Sequence, residues 1–241
     1  MIRENQLQYL KEEFSKINRE LSEKQLEQFI IYYEMLVEKN KVMNLTAITE
    51  FEEVVQKHFV DSIMLSENFI KDGESLIDVG TGAGFPGIPL KIVYPNLQVV
   101  LLDSLNKRVK FLNEVIDELG LEKIEAIHSR AEDGGRNPKL REQFTYAVSR
   151  AVANLATLSE YCMPFVKVGG AFISYKSGKI EEELSNAEGA IKKLGGKIKD
   201  KVLFELPDSD MSRSLIAIEK VEKIKSKYPR KAGLPSKEPL N

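Results

Sequence analysis

The sequence has a single cysteine, Cys162, and two histidines, His58 and His128, in 241 residues. One thiol excludes an intrachain disulfide framework and a multi-cysteine zinc site, and two imidazoles leave little for histidine-based metal binding. No metal site is expected. No stretch approaches the length and apolarity of a membrane span, and the opening run Met1-Ile2-Arg3-Glu4-Asn5-Gln6 passes directly into charged helical sequence without the apolar core of a signal peptide. A cytoplasmic location without a membrane partner is therefore expected. The formal net charge is only -2, so the chain as a whole is not a polycation that would cling to any nucleic acid. Internal repeats are also missing.

What is present reads as a folded protein. Hydrophobic residues at 42% and charged residues at 30% are ordinary for a globular chain, and the length suits one large α/β domain with an appendage. Charge is unevenly spread. Acidic residues crowd the part before residue 75, whereas Lys220, Lys223, Lys225, Lys227, Arg230, Lys231 and Lys237 gather near the C-terminal end. A solvated surface is the default reading of that basic stretch; a patch that tracks phosphates is the functional one, and it predicts that removing 226–241 weakens nucleic-acid binding and spares any cofactor.

The most informative stretch is Leu76-Ile77-Asp78-Val79-Gly80-Thr81-Gly82-Ala83-Gly84-Phe85-Pro86-Gly87. A short apolar strand ends in a carboxylate and enters a glycine loop, where the backbone can turn tightly and approach a ligand. Pro86 suits the first turn of a following helix, whose free N–H groups would then face the loop. A nucleotide-type cofactor site is the first expectation.

Around it the chain divides into three parts. In 1–74 apolar residues recur at three and four, predicting helices on both sides of Ser22, where Ser22 and Gln25 form a capping-box pattern. Thr49 and Glu52 repeat that pattern before a helix over 51–58, 41–48 reads as a loop, and 62–70 reads as a further helix. This part is expected to be a helical cap. In 75–225 strands and helices alternate: strands at 76–79, 97–102, 123–128, 144–148 and 171–175, a helix over 155–166, a turn at Gly169-Gly170, and a helix over 180–194. Strands at 197–206 and 214–221, joined by Pro207-Asp208-Ser209-Asp210, suit an antiparallel hairpin. The expected fold is a Rossmann-like α/β core with a seven-stranded sheet closed by that hairpin. The basic tail, 226–241, contains Pro229, Pro235 and Pro239 and is expected to be irregular.

A literal G-x-G-x-x-G runs through Gly82, Gly84 and Gly87, but Gly82 lies too far beyond the strand for a dinucleotide fingerprint, whereas Gly80, Gly82 and Gly84 follow it directly. Asp78 at the strand end would repel a pyrophosphate and can reach an amino-acid ammonium. S-adenosylmethionine carries that ammonium, no phosphate, and a ribose diol for which Asp103, nineteen residues after Gly84, is placed to accept.

The glycine stretch, together with Asn44-Leu45-Thr46, His58-Phe59-Val60-Asp61-Ser62 and Ser149-Arg150-Ala151-Val152, resembles the RsmG (GidB) family over nearly the whole chain. The resemblance implies a class I S-adenosylmethionine-dependent methyltransferase fold and methylation of N7 of a guanine in 16S ribosomal RNA of the small ribosomal subunit. Carried onto matching positions, it implies cofactor contacts at Gly80, Phe85, Ala131, Glu132 and Arg150, beside Asp78, Gly82, Gly84 and Asp103 from the loop and spacing. The glycine pair Gly134-Gly135 departs from the pattern. A monomer is expected.

Guanine N7 carries an unprotonated lone pair, so its alkylation needs no general base and alignment dominates. Arg150 is the candidate that orients the guanine; the structural alternative is a salt bridge to Glu132 or Asp78. His58 reads equally as a packed histidine, His128 as structural, and Cys162 as core. Lys176, in Tyr175-Lys176-Ser177-Gly178, is either a phosphate or base contact or a solvated lysine. An S-adenosylmethionine enzyme acting on a small molecule, an NAD-linked oxidoreductase and a non-catalytic binding module stay open as other readings.

Overall fold

The computed structural model describes residues 2–64, 66–150, 153–178 and 180–241. Two helices lead the chain, α1 (Ile2–Lys16) and α2 (Glu23–Met43). Ser22 caps α2 with the reciprocal bonds of a capping box, its side chain accepting from Gln25 N while the Gln25 side chain accepts from Ser22 N. Asn44, in the left-handed conformation, ends it. Asn40 Oδ1 then accepts from the backbone N–H of Leu45 and of Thr46, folding the expected loop back on the helix. Next come α3 (Phe51–Val54), a π-helical turn Val55–Val60, α4 (Asp61–Ile63) and a 3-10 turn Ser66–Asn68. Thr49 does not cap here. The N-cap is Glu50 without a side-chain bond, and the single helix expected over 62–70 is broken.

The sheet comprises β1 (Ser75–Val79), β2 (Gln98–Asp103), β3 (Ile124–His128), β4 (Phe144–Ser149), β5 (Val166–Ser177), β6 (Gly196–Glu205) and β7 (Ser212–Lys220), in the order β3-β2-β1-β4-β5-β7-β6. The first five run parallel, and β7 lies antiparallel between β5 and β6, which is the expected closing hairpin. Helices α5 (Gly87–Val93), α6 (Asn106–Glu118), α7 (Ala131–Gly134), α8 (Leu155–Cys162), α9 (Glu181–Lys193) and α10 (Leu234–Lys237) complete the chain. Gly169-Gly170 is not a turn. It lies inside β5, where a Cβ on Gly170 would sit 2.3 Å from the Thr145 carbonyl oxygen, so glycine permits the close approach of β4.

Alternation along each strand divides the core in two. Leu76, Leu101, Val148, Ile173 and Leu215 face one side with α1, α2, α5 and α6; Ile77, Leu102, Ala147, Phe172 and Ile216 face the other with α8 and α9. The N-terminal helices have no apolar core of their own. Leu10, Phe14, Phe29 and Tyr32 continue the first cluster, each with no exposed surface. At the other end, Tyr228 belongs to the second cluster. Among the described residues no helix is long and apolar enough to cross a membrane.

Candidate active site

β1 delivers the chain into the glycine loop between the ends of β2 and β4. Gly80, Gly82 and Gly84 have φ of 74°, 63° and 110°, the left-handed region that glycine enters without a Cβ penalty. Gly87 is required for a different reason: a Cβ there would meet Leu101 Cδ2 at 2.4 Å and Asp78 Oδ2 at 2.9 Å. The loop is braced from β2, since Gly80 N and Thr81 N donate to Leu102 O and Gly82 N donates to Asp103 Oδ2. It is braced from the N-terminal helices too, because the Tyr32 hydroxyl donates to Ala83 O at 2.6 Å.

Asp78 is fully buried. Its Oδ2 accepts from the Thr81 hydroxyl at 2.7 Å and from Gly87 N at 2.8 Å, and its Oδ1 has no hydrogen-bond partner among the described residues. Burial pushes its pKa up to about 7, against the pull of those two bonds and of Arg150. The free helix N-terminus expected behind Pro86 is therefore corrected: Gly87 N is spent on a carboxylate, and an anion there would meet Asp78. That arrangement disfavours a pyrophosphate.

Arg150, at the end of β4, stands over the ring of Phe85 with 5.0 Å from its guanidinium carbon to the ring centroid. The other bonds of its guanidinium go to the N-terminal part: Nη1 donates to Lys57 O at 3.2 Å and to Asp61 Oδ2 at 3.4 Å, and Nη2 to His58 Nδ1 at 3.2 Å. The ion pair is thus with Asp61, not with Glu132 or Asp78. His58 Nδ1 also lies 3.0 Å from Lys57 O, and its Nε2 lies 2.9 Å from Thr46 Oγ1. Burial first, and then the charge of Arg150, lowers the His58 pKa to about 3, so the ring is neutral. It stacks on Phe85 with centroids 4.6 Å apart. Asp61 also takes Arg213 Nε from β7 at 3.1 Å; burial raises its pKa and the two arginines oppose that.

Two cavities flank this cluster. One of about 540 Å³ lies over the ends of β1 and β2 and is lined by Gly80, Ala131, Glu132, Tyr161, Gly233 and Ser236, among others. One of about 800 Å³ is lined by Lys57, His58, Asp61, Arg150, Lys176 and Arg213, among others. Ala153 borders both. Of the residues expected from sequence, Gly80, Ala131 and Glu132 line the first cavity and Arg150 the second. Asp78, Gly82, Gly84, Phe85 and Asp103 line neither: Gly82 and Asp103 tie the glycine loop to the end of β2, and the Phe85 ring packs against Tyr32, His58 and Phe59. Both Asp103 oxygens already accept, Oδ1 from Leu105 N and Oδ2 from Gly82 N. Ala151 and Val152 of the quoted motif lie outside the described residues.

Several single residues resolve differently from the sequence reading. Lys176 is not solvated, since its ammonium donates to Ala153 O and pairs with Glu183 at 2.6 Å. Lys220, counted in the basic stretch, has no exposed surface; it donates to Met163 O and pairs with Glu142, and burial lowers its pKa to about 8. Arg230 is bound to the unexposed carboxylate of Glu160 through Nε and Nη2. The tail is docked. Gly233 N donates to Glu132 Oε1 at 2.8 Å, so removing 226–241 would take away the donor to a candidate cofactor residue. Cys162 is buried in the core, where burial raises its thiol pKa well above the usual range, and His128 Nε2 meets Ser104 O. Tyr32, Arg213 and Gly233 were not singled out from sequence. Their only signals are helical spacing, a lone arginine in a strand and a glycine in a proline-containing tail.

Comparison with known proteins adds the following. The profile of the family described as GidB, rRNA small subunit methyltransferase G, matches residues 25–226. The protein named ribosomal RNA small subunit methyltransferase G of Lachnoclostridium phytofermentans is 58% identical over 225 residues, spanning 93% of either chain. Its namesake in Alkaliphilus metalliredigens is 51% identical over 232 residues, 96% of this chain and 97% of its own. Among solved structures, a methyltransferase from Pyrococcus furiosus superposes with a TM-score of 0.56 at 16% identity, covering 80% of this chain and 96% of its own. M. jannaschii TYW2 in complex with AdoMet does so with a TM-score of 0.52 at 17% identity, covering 67% and 77%. At these identities the likeness is one of fold, and the fold is that of class I methyltransferases.

Proposed function

The chain belongs to the rRNA small subunit methyltransferase G (GidB) family, and from that premise we propose that it transfers a methyl group from S-adenosylmethionine to N7 of a guanine in 16S ribosomal RNA. The observation that carries the cofactor assignment is the buried Asp78 carboxylate at the foot of the glycine loop, whose Oδ2 takes the N–H of Gly87 and whose Oδ1 has no partner among the described residues. A cationic amino group satisfies that oxygen. Gly80, Gly82 and Gly84 let the loop backbone come close, Ala131 and Glu132 close the far side of the smaller cavity, and Asp103 keeps a lone pair on Oδ1 for a ribose hydroxyl while it braces Gly82. When bound, the cofactor supplies an electrophilic methyl group on a sulfonium.

The larger cavity takes the base. Guanine N7 is already a nucleophile, so no side chain has to remove a proton, and a neutral His58 agrees with that. What the chain supplies is position. Arg150 uses three of its five N–H groups on Lys57, Asp61 and His58, which keeps one N–H on Nη2 and that of Nε for the guanine O6. His58, which lines this cavity and is backed by the Phe85 ring stacked on it, offers an uncharged face that does not over-stabilise the sulfonium charge. Lys57 and Arg213 at the rim suit the flanking phosphates of an RNA strand.

The test is to incubate the protein and S-adenosylmethionine with ribosomal RNA or small subunits from cells lacking the gene. Strand cleavage chemistry specific for 7-methylguanosine then reads the product. One new cleavage site in 16S RNA is expected; an unchanged cleavage pattern refutes the reading.

A further inference from the structure

We infer that the C-terminal segment 226–241 is a working wall of the S-adenosylmethionine site, with Gly233 fixing the Glu132 carboxylate and cofactor binding coupled to docking of the tail. The inference rests on the cofactor assignment made above. The family profile ends at residue 226, so these wall residues lie beyond the part of the chain it describes.

The docking is built from the core outward. Arg136 donates to Pro229 O from both Nε and Nη2, at 3.0 and 2.7 Å, and Arg141 Nη1 donates to Tyr228 O at 2.8 Å. Tyr228 and Pro229 are buried, which anchors the start of the segment. Arg230 then grips Glu160 on α8, a carboxylate with no exposed surface that also accepts from Arg230 N at 2.8 Å. The Thr157 hydroxyl, again on α8, donates to Pro235 O at 3.0 Å. Between these two fixed points the chain turns at Gly233, whose φ of 81° is one that glycine adopts freely. That turn aims Gly233 N at Glu132 Oε1 and leaves Gly233 and Ser236 lining the smaller cavity opposite Gly80.

Glu132 lies on α7, a helix of four residues, and its only hydrogen bond among the described residues comes from the tail. Without Gly233 the carboxylate would face the cavity with no partner to orient it, and one side of the cavity would open to solvent. Because the wall exists only when the tail is docked, a ligand that touches it must stabilise the docked state, and the docked state must tighten the ligand by the same factor. Gly233 is on this reading a positioning residue acting through Glu132.

Two measurements on the protein test this. A chain ending at Lys231 keeps the Arg230 to Glu160 pair and the buried Tyr228 but lacks Gly233 and Ser236. Its dissociation constant for S-adenosylmethionine, by calorimetry, is expected to rise by about tenfold or more against the full chain, which is the scale of one lost well-placed contact. Should the shortened chain fail to fold, the full chain decides: tryptic cleavage after the exposed Lys231 and after Lys237 is expected to slow severalfold when S-adenosylmethionine is added. Equal affinities of a folded shortened chain and the full chain overturn the inference, as does cleavage of the full chain at a rate the cofactor does not change. A full chain that does not bind S-adenosylmethionine would instead overturn the cofactor assignment itself, and the tail's role with it.

Discussion

Arg150 lies over the face of Phe85, 5.0 Å from guanidinium carbon to ring centroid, and this contact joins the end of β4 to the glycine loop after β1. A planar cation spreads over a ring in a way that an ammonium does not, and its fork also holds Lys57 O, Asp61 and His58. Arg150→Lys is therefore expected to lower single-turnover methyl transfer by about a hundredfold, the usual order for losing one aimed donor. Rates within twofold of the parent would remove Arg150 from the proposed role.

Asp78 gives the site a pH dependence whose sign follows from its raised pKa. In the cofactor-free chain the protonated form is the one the fold favours, so its contribution to stability is complete below the ordinary carboxylate range and is lost as pH rises through about 7. Cofactor affinity runs the other way. A cationic amino group needs the carboxylate, so S-adenosylmethionine binding weakens as pH falls below about 7, approaching a tenfold loss per pH unit, and Asp78→Asn flattens both curves. His58 does not titrate in that window, and His58→Gln is expected to leave the inflection near pH 7 in place. Calorimetric titrations from pH 5.5 to 8.5, a range of about three units, would show it.

The glycines separate into two kinds by experiment. Gly82→Ala meets no atom within 4 Å and costs only the left-handed backbone, roughly 1 kcal/mol. Gly87→Ala drives a methyl group into Leu101 and the Asp78 carboxylate and is expected to cost more, with loss of cofactor affinity. Urea melts and binding constants for the pair would test this ordering; equal effects would contradict it.

Removing Arg230 leaves the unexposed Glu160 carboxylate with one backbone donor. Arg230→Ala is expected to destabilise the chain by about 3 kcal/mol or more, in the range for stripping one member of a buried pair, whereas replacing both residues with methionine recovers much of the loss. Denaturant midpoints of the single and double variants are the measurement.

The strand pattern, the closing hairpin and the register of the glycine loop could be read along the chain because they depend on neighbours a few residues apart. Alternation in Leu76-Ile77 and its partners fixes two buried faces, and Asp78 beside Gly80 already argues against a phosphate ligand. Gly169-Gly170 misled for the opposite reason, because two glycines look alike whether they turn a chain or admit a neighbouring strand, and only the Thr145 carbonyl distinguishes the cases.

What the sequence by itself determined is thus the class I fold, its family and the place of the glycine loop after the first strand. Tertiary structure alone decided the charge pairing. Asp61 is separated from Arg150 by 89 positions and from Arg213 by 152, and Gly233 from Glu132 by 101. Periodicity carries no information over such distances. A carboxylate in a short helix and an arginine in a distant strand find each other only because the sheet brings their ends together, and burial then makes the pairing strong enough to hold a site in shape.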